Sequence, residues 1–365
     1  MEILVKDYKI EIFDSIYMEV SMEKVKIGFL GCGFMGQLAH LKNYIDLDTC
    51  EVVAICDKKA KQVEMVAARY GIPKIYHDYR EMLADPEIEA IVAAQHFSNY
   101  VNIVPEILKA KKHLLTEKPL CIHPENGKKL AEYAQKQGLI HMVAYHKRSD
   151  PASEYAVDVI NKWKSSGEMG KMKYVRITMP PGDWIGGAKG CILTDEQMES
   201  IEAEPRMPGI DEKTQEKMIW FVNYYIHQVN YMRNLFGEDY KLTFADKSGV
   251  VFAVESDSGV CGIIEMQPYE TTDSWQERAF VAFEKGWIDI QLPAPLASQQ
   301  AGKVTVFTND QQTGVYTSPC LPNVSAMQNQ AANFVAAVRG VKKAPCISSE
   351  AVKDLQIALE YIHWE

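Results

Sequence analysis

Two side chains in this 365-residue sequence have the chemistry and the company to move protons and steady charge: Lys118, held in Glu117-Lys118-Pro119, and His227, on an amphipathic stretch. Proline confines the residue before it to extended backbone, so the Lys118 ammonium is aimed rather than left to sweep solvent. An ammonium beside a carbonyl or alkoxide oxygen stabilises the negative charge that develops there as a hydride moves. A neutral imidazole can take the hydroxyl proton as the hydride leaves carbon. Each residue also has a plainer reading, because most lysines are solvated surface charges and a lone histidine is commonly structural.

Glycines supply a place for the hydride carrier. The apolar run Val25-Lys26-Ile27-Gly28-Phe29-Leu30 is followed by Gly31-Cys32-Gly33-Phe34-Met35-Gly36 and then by Gln37-Leu38-Ala39-His40-Leu41. A strand that turns sharply into a helix needs glycine where a side chain would block the turn, the approach of a pyrophosphate, or helix packing. Backbone N–H groups at that helix start face the anion. A second apolar run, Glu51 to Cys56, ends in Asp57, 21 residues past Gly36, where a carboxylate accepts both ribose hydroxyl protons of an adenosine. Asp57 repels a 2'-phosphate and Lys58 and Lys59 answer it only in part, so NAD is expected over NADP.

The elements that must position these residues change character along the chain. Strands and helices alternate through the first 145 residues as repeated βαβ units. Ligands bind such sheets at the carboxyl ends of the strands. Gln95, His96 and Asn99 follow the run Ala90-Ile91-Val92-Ala93-Ala94, Glu117 and Lys118 follow His113-Leu114-Leu115, and all five fall at such ends. Arg148-Ser149-Asp150-Pro151 marks a boundary. Beyond it, a helix over 151–166 leads into longer strands rich in β-branched and aromatic residues, the pattern of an antiparallel or mixed sheet covered on one face. The expected class is α/β: an arm over 1–23, a dinucleotide-binding domain over 24–148, and a substrate-binding α/β domain over 149–365 with a mostly antiparallel sheet. Closing helices near 326–339 and 349–364 are expected to pack back onto the chain.

Composition narrows the partners. Lys plus Arg number 39 against 49 Asp plus Glu, a formal charge of -10, which disfavours nucleic acid and anionic membrane. Eight scattered cysteines show no C-x-x-C and no histidine pair at metal spacing, so no metal is expected and a reducing cytoplasm fits. No segment approaches bilayer length, and residues 1–23 lack the basic start and apolar centre of a signal peptide. Between Ile185 and Met218 runs a Gly- and Pro-bearing stretch of the length that is functional or mobile in compact domains. Its eight acids against four bases would, as a roof over a site, disfavour a highly anionic substrate. From Gln215 to Phe236 the spacing predicts one helix, with Ile219, Val222, Ile226, Val229 and Phe236 on its apolar face. Asn223 and His227, four apart, then lie adjacent on another stripe.

Across nearly all of residues 25–364 the sequence resembles the Gfo/Idh/MocA family of sugar and cyclitol oxidoreductases. The residues that carry the resemblance are Gly31 to Gly36, Asp57, Glu117-Lys118-Pro119, Arg148-Ser149-Asp150-Pro151 and Ile226-His227-Gln228 to Leu235-Phe236-Gly237. It implies a Rossmann first domain, a second domain whose open sheet makes dimer or tetramer contacts, bound NAD or NADP, and Lys118 and His227 as the catalytic lysine and histidine. Cofactor contacts are then expected from Gly31, Gly33, Phe34, Met35, Gly36, Asp57, Lys58, Gln95, His96, Asn99, Glu117 and Lys118. Trp184, shortly after a strand, resembles an aromatic that contacts nicotinamide or substrate. Tyr145, Asn223 and Tyr224 join Lys118, Trp184 and His227 as expected substrate contacts.

The sequence departs from the family pattern twice. Where the family commonly carries an aspartate one turn before the histidine, this chain has Asn223, which orients a hydroxyl but cannot favour an imidazolium. Where the family often reads Thr-Pro-Asn with a histidine three residues on, this chain has Ala94-Gln95-His96 and then Asn99. The resulting expectation is a cytoplasmic, homo-oligomeric, NAD-dependent dehydrogenase for a secondary alcohol of a sugar, cyclitol or glycoside, including oxidation of a glycoside ring to a keto-sugar. A redox-neutral lyase or glycosidase that retains its NAD, and a non-catalytic NAD-sensing regulator, are the alternatives.

Overall fold

The computed structural model describes residues 23–179, 182–197, 202–267, 269, 273, 275–309 and 313–364, so the expected arm lies outside them except for Glu23. Six short apolar runs form one parallel sheet: β1 (Val25–Leu30), β2 (Cys50–Cys56), β3 (Lys74–Tyr76), β4 (Ala90–Ala93), β5 (His113–Thr116) and β6 (His141–Val143). Their order is β3-β2-β1-β4-β5-β6. Helices cover both faces, which is why β1, β2 and β4 read as nearly continuous apolar runs instead of alternating; Ile27, Phe29, Ile55 and Val92 are fully buried. The order reverses between β1 and β4, the switch point at which such a sheet leaves a crevice at its carboxyl edge.

The helices of this half are α1, which opens as π-helix over Gly36–Leu41 and continues as α-helix over Lys42–Ile45, then α2 (Ala60–Tyr70), α3 (Tyr79–Leu83), α4 (Tyr100–Lys109) and α5 (Pro124–Gln137). After α6 (Pro151–Ser166), whose first turn is capped by the Asp150 side chain on the Ala152 N–H, the chain enters β7 (Met172–Met179). Then come α7 (Glu212–Tyr224) and α8 (Ile226–Phe236), followed by β8 (Tyr240–Ala245), β9 (Val251–Ser256), β10 (Cys261–Met266) and β11 (Glu277–Phe283). The last elements are β12 (Gly286–Leu292), β13 (Lys303–Asn309), β14 (Gly314–Thr317), α9 (Ala326–Val338) and α10 (Ser348–Ile362).

The second sheet runs β14-β13-β12-β11-β7-β10-β9-β8, antiparallel except for the β7–β10 pair. Burial alternates along β7, β9 and β11, as it does when one face of a sheet packs on helices. The covering helices are α6, α8 and α10. Helix α10 also packs on α5, and α9 on α1, so the closing helices do return to the first half.

One element differs from the sequence expectation. The single helix over Gln215–Phe236 is two helices meeting at Tyr225, which has φ -107 and ψ -4. The Tyr225 ring is buried edge-on against Trp220, and the main-chain oxygen of Asn223, which would accept from the His227 N–H in an unbroken helix, faces Lys118 instead. A one-residue break leaves hydrophobic periodicity almost unchanged, so the sequence carried no sign of it.

Candidate active site

The glycines divide the work their spacing suggests. Gly31 has φ +98, and a Cβ there would lie 2.4 Å from Gln95 Nε2 and 2.5 Å from the Ala94 oxygen. A Cβ on Gly36 would meet the Gly31 oxygen at 2.3 Å. Gly33 is different: nothing lies within 4 Å of where its Cβ would be, so bare backbone faces open space. That space is a crevice of about 910 Å³ whose lining includes Gly31, Gly33, Asp57, Lys58, Gln95 and Asn99, together with His96. A glycine cradle open on the ligand side, with a carboxylate at the end of β2, fits an adenine dinucleotide.

Asp57 Oδ2 accepts from the Cys32 N–H at 2.8 Å and Oδ1 from the Lys59 N–H at 3.0 Å, tying the glycine turn to the end of β2. Each oxygen keeps a further lone pair for a ribose hydroxyl. His96 stacks on Phe97 at 4.5 Å and pairs with Ser98 Oγ at 2.7 Å. Phe34 meets Trp184 edge-on at 5.9 Å, which brings a 40% exposed indole from the second half to the glycine turn. Met35 packs instead against a small cluster of Leu38, Ala39, Leu296 and Met327.

Beside β4 in the sheet, β5 leads into Glu117 and Lys118, neither of which is among the residues lining that crevice. The Glu117 carboxylate is buried, pairs with His40 Nε2 at 2.6 Å, and accepts from the Lys118 N–H at 3.1 Å. Burial pushes its pKa up, but His40 and the Lys118 charge outweigh that and hold it below the usual carboxylate range. The Lys118–Pro119 peptide is cis. Lys118 Nζ donates to the Asn223 main-chain oxygen at 2.6 Å, and burial lowers its pKa, with Glu117 opposing and Lys147 adding to the fall.

His227 is the second residue of α8. Burial, then His146, Lys118 and Lys147, hold its pKa well below 6.5. The charge on Lys118 thus reaches the His227 ring although the two come from different halves of the chain. The His146 ring lies 4.7 Å from that of His227, and the Tyr145 ring 5.9 Å. Nδ1 of His146, Nδ1 of His227 and the Tyr145 hydroxyl are all buried without a hydrogen-bond partner. Native proteins rarely leave such atoms unpaired except where a ligand or water completes them. Lys147 is satisfied by Glu277 at 2.5 Å, whose other oxygen accepts from Gln228 at 2.6 Å. Asn223 contributes its main chain, while its side chain is exposed; Tyr224 is 47% exposed and packs on Trp220 at 5.8 Å.

The stretch between Ile185 and Met218 is tied to the first half at two places. Ile192 exchanges two hydrogen bonds with the Gln37 side chain, at 2.8 and 2.9 Å, and the Thr194 N–H donates to Gln62 Oε1 at 3.2 Å. Further along, the buried Glu204 carboxylate accepts from Ile122 N–H, His123 N–H and Asn126 Nδ2. Gln197 and Glu202, between these anchors, line the crevice. Sequence reasoning missed His40, His146, Gln37, Gln62 and Glu204; the partners of His40, Gln37 and Glu204 lie far away along the chain, and no local pattern marks the pairing. Among the described residues no group of three or more His, Cys, Asp or Glu could hold a metal ion, and no helix is long and apolar enough to cross a membrane.

Comparison with known proteins agrees with this geometry. Residues 25–145 match the family described as "Oxidoreductase family, NAD-binding Rossmann fold". The chain is 26% identical over 174 residues to the myo-inositol 2-dehydrogenase of Thermotoga maritima, covering 46% of this chain and 51% of that one. It is 28% identical over 176 residues to the scyllo-inositol 2-dehydrogenase (NAD(+)) of Bacillus subtilis, covering 47% and 50%. The matched part thus spans about half the length of each relative. The fold is shared with the aldose-aldose oxidoreductase of Caulobacter crescentus, at a TM-score of 0.67 and 16% identity over 93% of this chain and 97% of that one.

Proposed function

We propose, from the premise that residues 25–145 are the NAD-binding Rossmann domain of a Gfo/Idh/MocA family oxidoreductase, that this chain moves a hydride between nicotinamide and a secondary alcohol of a cyclitol, sugar or glycoside. The observation that carries the reading is the convergence of Lys118 and a neutral His227 from the two halves of the chain. Nicotinamide, when bound, supplies the hydride acceptor. Lys118 donates to the alcohol oxygen and steadies its growing negative charge. His227 takes the hydroxyl proton as the neutral imidazole that burial and the surrounding His146, Lys118 and Lys147 maintain. Asp57 at the crevice favours NAD over NADP.

Exposed Trp184, Trp220 and Tyr224 offer ring faces suited to a pyranose or cyclitol. Exposed Val315 and Tyr316 on edge strand β14 support assembly of copies through the second sheet. The test is a panel of inositols, hexoses and glycosides with NAD, followed by NADH absorbance. NADH formation with one of these classes, lost in Lys118→Ala, is expected; a protein that binds neither NAD nor NADP refutes the reading. A redox-neutral lyase or hydrolase is favoured by one observation, that the stretch between Ile185 and Met218 forms a strap tied to the first half through Gln37 and Glu204, which suits a retained dinucleotide. NAD that co-purifies while product forms without NADH would establish it.

A further inference from the structure

Helix α2 begins three residues after Asp57, and its free N–H groups form the natural anion-binding end beside the adenosine ribose. In this protein two of those groups, the N–H of Lys61 and that of Gln62, are already taken. Asp57 Oδ1 accepts from the Lys59 N–H at 3.0 Å, while Glu196 Oε1 accepts from the Lys61 N–H and Oε2 from the Gln62 N–H, both at 3.0 Å. Glu196 comes from the far half of the chain and is held in place: Thr194 Oγ1 donates to its Oε2 at 2.7 Å. Gln62 then clamps the strap to the glycine turn, accepting from the Thr194 N–H and donating to the Cys32 oxygen at 3.0 Å. The next residue, Gln197, lines the crevice that Asp57 and Lys58 also line.

We infer that Glu196 is a specificity-determining residue that excludes a 2'-phosphate, by filling with its own carboxylate the helix end that such a phosphate would need. The inference rests on the dinucleotide reading above and adds to Asp57 a second determinant supplied by the second half. A phosphate entering there must break two charge-assisted hydrogen bonds and meet two carboxylates in place of one. The ribose hydroxyls of an unphosphorylated adenosine need none of those donors, so NAD is not penalised. Lys58, Lys59 and Lys61 beside the helix start become a favourable field for phosphate once the Glu196 charge is gone.

The test uses the full chain and two probes of the adenosine half, 5'-AMP and adenosine 2',5'-bisphosphate, titrated by calorimetry into wild type, Glu196→Gln and Glu196→Ala. Wild type is expected to prefer 5'-AMP. Both variants should bind the bisphosphate about tenfold more tightly while 5'-AMP changes by less than about threefold. Gln keeps an oxygen for the helix N–H groups and so preserves the strap, which separates the charge effect from loss of the clamp. Unchanged bisphosphate affinity in both variants, or an equal loss for both probes, overturns the inference while leaving NAD binding intact. Failure of wild type to bind 5'-AMP or NAD at all overturns the dinucleotide reading itself.

Discussion

The ammonium of Lys118 donates to the main-chain oxygen of Asn223 at 2.6 Å, so the end of β5 is joined to the helix end directly before His227. The oxygen is available because the helix breaks at Tyr225.

In the proposed mechanism Lys118 steadies the substrate oxygen, and replacing it with Ala removes that donor. The expected fall in kcat/KM is on the order of 10²–10³-fold, with NAD affinity kept. Steady-state kinetics and calorimetric NAD binding check it, and a variant of undiminished activity would remove Lys118 from the mechanism.

His227→Ala should lower kcat by roughly 10²–10⁴-fold. In wild type, burial and the neighbouring cations hold the His227 pKa well below 6.5, so its proton-accepting form persists as the pH falls. The acid limb of kcat/KM for alcohol oxidation should therefore lie below 6.5, and a limb centred above that value contradicts the assignment.

Acid stability should be governed partly by a histidine outside the site. His141 is fully buried and pushed by burial alone from 6.5 down to about 3, with Nε2 against Thr116 Oγ1 at 3.1 Å. Its folded pKa is depressed, so below 6.5 the unfolded chain binds the extra proton and stability is lost as the pH falls toward about 3. Urea unfolding of His141→Gln between those limits should show a slope reduced by up to about 1.4 kcal/mol per pH unit. Parallel profiles for variant and wild type would refute this.

Glu277→Ala would leave Lys147 as a buried cation without its carboxylate, since the two side chains are 1% and 4% exposed. The expected destabilisation is about 3–5 kcal/mol, with Glu277→Gln milder because the amide still accepts from an ammonium. Denaturant midpoints for the two variants test it; a loss under about 1 kcal/mol for the Ala variant would mean that water reaches Lys147 freely.

Much of the first half was legible because its signals are local. The glycine spacing, the acid after the second strand and the residues after β4 and β5 are consequences of backbone turns, and the structure places Gly31, Gly33, Asp57, Lys58, Gln95, His96 and Asn99 around one crevice. The break at Tyr225 was not legible, since apolar spacing on either side of it continues the same register. Nor was His40 as the partner of Glu117, 77 residues away.

The sequence by itself determined which backbone turns form and which chemical groups stand at the strand ends, because glycine conformation, proline restriction and hydrophobic period act within a few residues. Only the tertiary structure decided the charge state and the company of those groups. That His227 stays neutral follows from burial and from Lys118, Lys147 and His146 around it. That Glu196 sits on the start of α2 follows from a strap folded across 134 residues of separation. Both are set by dielectric and by distance in space, which spacing along a chain does not encode.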